Sequence, residues 1–234
     1  MYKRYVVILI FALLVLISLT GYYIRNLNTI NFNNYRFTEN NYTILIEVDL
    51  KKLSIIDRKD GSTLISFPIA TGKTSSPTPL GSFIITEKAH WGEGFGSRWM
   101  GINVPWGNYG IHGTNKPGSI GSNLSAGCIR MRNSDVEQLY DLVKKGSSVV
   151  IINGIYGPFG NGFRTLRPGD RGSDVLEVQK RLLKKGFYKE SLDGIYGENM
   201  KKGLIEFLKY NNIEPTDRIN EKIYNQLDIF LMDW

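Results

Sequence analysis

A run of 20 residues without a charged side chain extends from Tyr5 to Ile24. A helix needs about 20 apolar residues to cross the hydrocarbon core of a bilayer, so this run predicts a membrane-spanning helix. A cleaved signal peptide is the alternative, because a basic start followed by an apolar segment is common to both. The sequence favours the uncleaved anchor, since the flank lacks a cleavage site of small residues and carries Tyr22 and Tyr23, which suit a membrane interface.

Two basic residues before this run, Lys3 and Arg4, predict its orientation. The positive-inside rule keeps this end in the cytoplasm and places the rest of the chain on the extracytoplasmic face of the cell membrane. We therefore assign residues 1–25 to a signal anchor that crosses the membrane once. Residues 26–42 are rich in asparagine and cannot bury a core, so they are predicted to be a linker.

The composition, 42% hydrophobic and 22% charged, is that of a globular protein. The net charge is +7, but the basic excess is spread along the chain, whereas a nucleic-acid binder concentrates it in a patch. A nucleic-acid partner is therefore not expected. The single cysteine, Cys128, excludes an intrachain disulfide and a cysteine zinc cluster, and only His90 and His112 are left as nitrogen ligands. No metal is expected.

From Thr43 onward the chain has the signals of strands. Short apolar or β-branched runs occupy residues 44–48, 53–57 and 64–70, with the turn dipeptide Asp60-Gly61 between the last two. Glycine and proline then interrupt the chain every few residues, which favours strands joined by loops. One helix is predicted over residues 134–144 and a last strand over residues 148–153. We expect residues 43–154 to form a mainly β sandwich or barrel with one short helix.

The pattern changes to helices after Gly162. Apolar stripes of helical spacing predict one helix that Ser173 caps, a second over residues 199–210 and a third that Asn220 opens. Three matched apolar faces in this short segment predict a small three-helix domain over residues 165–234. A solvated helical tail is the weaker alternative.

The residues that carry chemistry lie between Gly110 and Asn133. Nucleophilic thiol catalysis needs a thiolate and a nearby imidazole that takes its proton, and Cys128 and His112 supply both groups. Such a pair is expected to lower the thiol pKa. Glycines beside each residue, Gly113 and Gly127, let backbone approach a substrate, and N–H groups around Gly127 and Cys128 are candidates for an oxyanion site. Spacing alone leaves the other interpretation open, that Cys128 is a buried small hydrophobe.

The order His112-Gly113, 11 residues, then SAGCIRM resembles the signature of the L,D-transpeptidase (YkuD-like) catalytic domain. An upstream TPxG stretch of that family is matched by residues 78–81. The resemblance implies that Cys128 is the acyl-accepting nucleophile, His112 its general base and Gly127 part of the oxyanion region. It implies that Arg130 shapes the site or receives a substrate carboxylate. It implies no cofactor.

One position departs from the family signature, which often reads SHGC where this chain has Ala126. Ser125, at the first position of that motif, is predicted to supply a supporting hydrogen bond. The aromatic and glycine-rich segment 91–99 is predicted to be a flap over a groove. Trp99 and Tyr109 are candidates for lining that groove and binding substrate, with core packing equally open for each. His90 is assigned to a surface loop.

The C-terminal region resembles a peptidoglycan-binding domain of the three-helix type, from Leu166 to Leu227. Motif positions include Gln179 and the run Asp193–Gly197, for which a turn with Tyr196 packed inward and direct ligand contact are both open. Gly203 and Leu208 depart from the usual pattern of the second helix. Peptidoglycan is therefore the expected partner, through both its stem peptides and its glycan.

These resemblances together imply an extracytoplasmic L,D-transpeptidase that cross-links or remodels the cell wall. Two alternatives stay open: an L,D-carboxypeptidase or endopeptidase that hydrolyses the same stems, and a non-catalytic wall-binding structural protein. Because the folded regions are predicted to be separate units, we expect deletion of residues 165–234 to weaken wall binding more than activity on soluble stems.

Overall fold

The computed structural model describes residues 41–160 and 162–231, so the predicted signal anchor and nearly all of the predicted linker lie outside the described residues. The described residues belong to one compact unit, Glu39–Trp234. Within the described ranges, the structure contains no helix with the length and apolar character that a membrane span requires.

The first part of this unit is mainly β structure. Its ten strands are β1 Tyr42–Glu47, β2 Lys52–Asp57, β3 Thr63–Pro68, β4 Thr71–Gly72, β5 Gly81–Ala89, β6 Trp99–Ile102, β7 Tyr109–Gly113, β8 Asn123–Ser125, β9 Ile129–Met131 and β10 Ser148–Ile152. Eight of them form one sheet in the order β3-β2-β1-β10-β5-β6-β7-β9, while β4 and β8 form a parallel pair. The prediction of a mainly β region is confirmed.

Alternating burial explains the first three strands. In β1 the buried positions are Tyr42, Ile44 and Ile46, which is the period of two expected when one face of a sheet covers a core. The strands β1, β2 and β3 pair antiparallel in succession, which confirms the three predicted strands and the turn between the last two. Long-range pairing then completes the sheet, because β10 inserts parallel to β1 and antiparallel to β5.

The predicted short helix is present as α1, Asn133–Leu142, which buries Val136 and Leu139. Three further helices follow: α2 Ser173–Lys184, α3 Glu198–Tyr210 and α4 Glu221–Gln226. They enclose a separate apolar cluster that includes Val178, Leu204 and Tyr224. The predicted three helices are confirmed.

The two predicted helix caps have different outcomes. Asn220 caps α4 as expected, since its Oδ1 accepts a hydrogen bond from Ile223 N at 3.2 Å. The prediction for Ser173 was wrong. Ser173 is the first residue of α2 and its hydroxyl accepts a hydrogen bond from Leu80 N, 2.8 Å away in the β region, rather than from its own helix.

A buried glutamine holds the loop between α2 and α3. The fully buried Gln179 donates from Nε2 to Asp193 Oδ1 at 2.7 Å, and its Oε1 accepts from Gly194 N at 2.8 Å. Tyr196 is also buried, and its hydroxyl donates to Asp217 O at 2.8 Å. The run Asp193–Gly197 is therefore a fixed turn with Tyr196 packed inward, as one of the two interpretations from the sequence predicted.

Candidate active site

Two parallel strands bring the predicted catalytic residues together. The strand β7 pairs with β9 so that His112 lies opposite Arg130, and Cys128 immediately precedes β9. On the other side of β7, Trp99 of β6 lies opposite His112. Because β9 ends the eight-stranded sheet, the loop that carries Cys128 lies at a sheet edge beside the histidine strand.

The imidazole of His112 is held in one tautomer. Its side chain is buried, with 3% exposed, and Nδ1 lies 2.6 Å from Gly113 O. A carbonyl oxygen can only accept, so Nδ1 carries the proton and Nε2 of the neutral ring is the acceptor. Burial lowers the pKa of His112 and nearby Arg130 lowers it too, whereas the carbonyls of Gly113 and Phe95 raise it. The net lowering keeps the ring neutral and able to take a proton.

The thiol of Cys128 is partly buried and mainly protonated. Burial raises its pKa, while a backbone hydrogen bond from Gly110 and the charge of Arg130 lower it by less. The expectation of a lowered thiol pKa was wrong, because desolvation outweighs the favourable charge. Among the described residues, no hydrogen bond joins Cys128 to His112. The resting pair is therefore a neutral thiol and a neutral imidazole.

The hydroxyl of Ser125 closes the loop before the thiol. Buried Ser125 donates from Oγ to Cys128 O at 2.6 Å and accepts from Gly127 N at 3.0 Å. The predicted supporting hydrogen bond is thus present. The Gly127 N–H is occupied by this contact, so it is not the oxyanion donor that the sequence suggested. The Cys128 N–H has no hydrogen bond in the described part of the chain, and it is the donor left at this position.

The ring of Tyr109 lies directly on Gly127. A Cβ at Gly127 would stand 2.6 Å from Tyr109 Cε1, and φ at Gly127 is +113°, so this position requires glycine for two reasons. Burial raises the pKa of Tyr109, and the nearby Cys128 adds to the rise. Of the two predicted groove residues, Tyr109 is therefore adjacent to the nucleophile loop.

The other predicted groove residue, Trp99, is a core residue beneath the flap. It is 5% exposed, stacks on Trp91 with ring centroids 4.6 Å apart, and donates from Nε1 to Glu87 Oε2 at 3.2 Å. Its ring centroid lies 5.8 Å from that of His112. Trp99 therefore packs in the core against the histidine, which favours the core-packing interpretation that the sequence left open.

Phe95 is a site residue that the sequence did not single out. Its partly exposed ring meets His112 edge-on, with centroids 5.1 Å apart, and also packs against Trp99. The signal was the aromatic content of segment 91–99, but its spacing did not show which ring would reach the imidazole. His90 is exposed and packs against Tyr140, as its surface assignment predicted.

Asn133, also missed, explains the glycine after the catalytic histidine. Its Oδ1 accepts from Ser97 N at 3.1 Å, and a Cβ at Gly113 would fall only 2.2 Å from that oxygen. The Gly113 N–H donates to Arg98 O at 3.1 Å. Gly113 therefore positions His112 by close packing, and its own N–H is already used.

The TPxG motif supports the same loop from outside. Buried Thr78 accepts a hydrogen bond from Gly72 N at 2.8 Å, which folds the preceding loop back on itself. That loop donates from Lys73 N to Ser125 O at 3.1 Å. The motif thus acts through Ser125 on the backbone of the Cys128 loop. The described residues contain no group of three or more histidine, cysteine or acidic side chains arranged to hold a metal ion.

Comparison with known protein families agrees with this geometry. The model of the YkuD family, described as the L,D-transpeptidase catalytic domain, matches residues 41–152. Residues 41–152 are therefore similar to L,D-transpeptidase catalytic domains. A second model, described as "Putative peptidoglycan binding domain", matches residues 171–227, which include α2, α3 and α4. The predicted resemblances of both regions are confirmed.

Curated relatives carry the same domain. The chain is 40% identical over 111 residues to "Putative L,D-transpeptidase YkuD" of Bacillus subtilis, a match that covers 47% of this chain and 65% of that relative. It is 51% identical over 45 residues to "Probable L,D-transpeptidase ErfK/SrfK" of Escherichia coli, covering 19% of this chain and 14% of that relative. The chain thus spans less than two thirds of the length of either relative.

Two solved structures are also similar. The catalytic domain of the Enterococcus faecium L,D-transpeptidase has a TM-score of 0.41 at 25% identity, covering 47% of this chain and 96% of that one. Bd1075 of Bdellovibrio bacteriovorus has a TM-score of 0.43 at 22% identity, covering 48% of each chain.

The charge of Arg130 can be tested through the single cysteine. Replacing Arg130→Ala removes a positive charge that lowers the thiol pKa, so we expect the thiolate fraction to fall and alkylation by iodoacetamide at pH 8 to slow by about threefold. Alkylation reports on Cys128 alone because the chain has no other cysteine. The alkylation rate is measured by quenching the reaction at successive times and analysing the intact protein by mass spectrometry.

Arg132→Ala is the matched control, since Arg132 is an exposed arginine two residues further along the chain. We expect it to react like the wild type. The rates of all three proteins should converge at a pH well above the thiol pKa. An unchanged or faster rate for Arg130→Ala at pH 8 contradicts the assignment.

Proposed function

We propose that this protein is an L,D-transpeptidase that acts on peptidoglycan stem peptides through an acyl-enzyme on Cys128. The observation that carries the proposal is the site itself: a buried neutral imidazole with Nε2 as acceptor lies on the strand beside the thiol loop. The match of residues 41–152 to the catalytic domain family supports the reaction class.

The protonation states of the resting site define the first step. Because the thiol is protonated and the imidazole neutral, His112 removes the proton as the sulfur attacks the carbonyl of the third residue of a tetrapeptide stem. The carbonyl oxygen becomes an oxyanion that the Cys128 N–H stabilises. When the carbon–nitrogen bond breaks, protonated His112 returns the proton to the amine, and the terminal D-alanine leaves.

The second step runs through the same groups. The side-chain amine of a diamino acid on a neighbouring stem attacks the thioester, and His112 takes the proton that this amine loses. Collapse of the intermediate forms the new amide and releases the sulfur, which regains its proton from His112. Neither step requires a metal or an organic cofactor. Arg130, paired in register with His112, supplies positive charge for a stem carboxylate.

Replacing Cys128→Ala removes the nucleophile, so we expect product formation from purified disaccharide tetrapeptide to fall by about 10³-fold or more. Intact-protein and product mass spectrometry measure the acyl adduct and the products. Ser134→Ala deletes one oxygen from an exposed position outside the site, and we expect it to behave like the wild type.

The products decide between the reaction classes. An adduct on wild-type Cys128 with cross-linked dimer supports the transpeptidase. Tripeptide without dimer identifies the hydrolase. Neither adduct nor product, with wall binding retained, overturns the proposal in favour of a structural wall-binding protein.

We propose further that the three-helix domain binds peptidoglycan in a cavity of about 240 Å³. One ring, Tyr188, and several polar side chains line it, among them Ser191, Asp193 and Asn199. Convergent hydrogen-bonding groups suit a sugar or a short peptide. The match of residues 171–227 to a peptidoglycan-binding family supports this partner.

Asn199→Ala tests the cavity, because it removes the amide of an exposed residue in the cavity lining. Loss of one ligand hydrogen bond, about 1 kcal/mol, should weaken sedimentation with purified sacculi by about fivefold. Asn225→Ala, an exposed asparagine on α4, is the matched control and should bind like the wild type. Equal binding by both variants argues against this cavity.

We propose, finally, that the uncharged run from Tyr5 to Ile24 anchors the chain in the cell membrane with both domains on the extracytoplasmic face. We expect the full chain to remain in the membrane pellet after extraction with alkaline carbonate, and residues 26–234 to be released. Protease added to intact spheroplasts should degrade the domains. Release of the full chain by carbonate, or protection from the protease, contradicts the proposal.

A further inference from the structure

The three-helix domain contacts the catalytic domain beside the nucleophile loop. One contact is the buried hydrogen bond from Leu80 N to Ser173 Oγ, at 2.8 Å. The other is a close approach of Gly194 to the ring of Trp106, since a Cβ at Gly194 would stand only 2.4 Å from Trp106 Cε3. Trp106 is 6% exposed, so this large ring is buried where the two domains meet.

From Trp106 the contact continues to the catalytic loop. Trp106 lies three residues before Tyr109, the first residue of β7, and it opposes the rise that burial causes in the pKa of Tyr109. The Tyr109 ring in turn lies on Gly127, next to Cys128. Gly194, Trp106 and Tyr109 therefore lead in succession to the nucleophile loop.

A charged residue of the three-helix domain shows the same proximity. Arg171 pairs with Ile195, the residue after Gly194, in an isolated β-bridge. Its guanidinium lies near enough to Tyr109 to lower the pKa of that phenol. Arg171 and Gly194 thus lie on the two paired segments and both approach the part of the catalytic domain that contains Trp106 and Tyr109.

We propose that the three-helix domain is part of the catalytic unit. Gly194 packs against Trp106 and holds it in place, and Trp106 in turn holds Tyr109 against the Gly127–Cys128 loop. Trp106 and Tyr109 are positioning residues for the nucleophile. The proposal rests on the proposed function only for its effect on turnover, because the position of Cys128 can be measured without any substrate.

The proposal changes what removal of the domain should do. Deleting residues 165–234 strips the cover from Trp106 and the acceptor from Leu80 N, so activity on soluble stems falls together with wall binding. The sequence alone led to the opposite expectation, in which the catalytic domain works independently.

Gly194→Ala tests the contact, because its methyl group collides with the Trp106 ring and must displace either the ring or the domain. Gly186→Ala is the matched control. Both glycines have positive φ, +66° and +84°, so both variants carry similar backbone strain, but a Cβ at Gly186 meets no atom within 4 Å. Both are made in the full chain.

Two measurements report on the nucleophile loop. We expect Gly194→Ala to change the rate of Cys128 alkylation by iodoacetamide several-fold, and to increase amide hydrogen exchange in residues 106–112 and 125–130. We expect Gly186→Ala to match the wild type in both. Exchange in the three helices shows whether either variant has unfolded the domain.

Trp106→Ala removes the other partner of the same contact. It therefore tests the contact even if the Gly194→Ala variant does not fold. In the Trp106→Ala background, Gly194→Ala should cause no further change in alkylation, because the ring with which it collides is gone. If the two substitutions only lowered stability in general, their effects on alkylation would add in the double variant. On soluble stems, kcat should fall more than KM rises, since the contact positions the nucleophile rather than the substrate.

The proposal is overturned if Gly194→Ala and Trp106→Ala both leave alkylation and exchange at the wild-type values. It is also overturned if the two changes add in the double variant. Failure of the proposed function gives a different pattern, in which wild-type protein forms no product while alkylation still responds to Gly194→Ala.

Discussion

The parallel pairing of β7 with the three-residue strand β9 is the interaction on which the site depends. It sets His112 opposite Arg130 and fixes the point at which the Cys128 loop enters the sheet. Neither strand could hold this geometry alone, because β9 is short and lies at a sheet edge. The loop before it is therefore held from several sides, by the Ser125 hydroxyl, by the loop that follows β4 and by the Tyr109 ring.

Burial sets the acid–base character of this site. It raises the pKa of Cys128 and lowers that of His112, so the resting pair is neutral although each residue is able to ionise. The tautomer is fixed by the carbonyl of Gly113, which leaves Nε2 as the base. A neutral thiol is less reactive toward stray electrophiles than a thiolate, and proton transfer then accompanies attack on a bound substrate.

The three-helix domain packs against the mainly β domain. A wall-binding module on a flexible tether would act only by raising the local concentration of the catalytic domain on its substrate. Here the hydroxyl of Ser173 accepts a hydrogen bond from the other domain, and the backbone of Gly194 closely approaches the ring of Trp106. The buried Gln179 accepts a hydrogen bond from Gly194 N, so the turn that contacts Trp106 is held in place.

The sequence by itself determined the local structure and the identity of the reactive groups. Short apolar and β-branched runs predicted the strands β1 to β3, apolar stripes predicted the three C-terminal helices, and motif spacing selected Cys128 and His112. Only the tertiary structure decided that Ser125 takes the Gly127 N–H, that Trp99 is buried behind the histidine, and that Phe95, Asn133 and Trp106 belong to the site. Periodicity and spacing record which residues are neighbours along an element, whereas burial, hydrogen-bond partners and pKa shifts depend on contacts between residues distant in sequence.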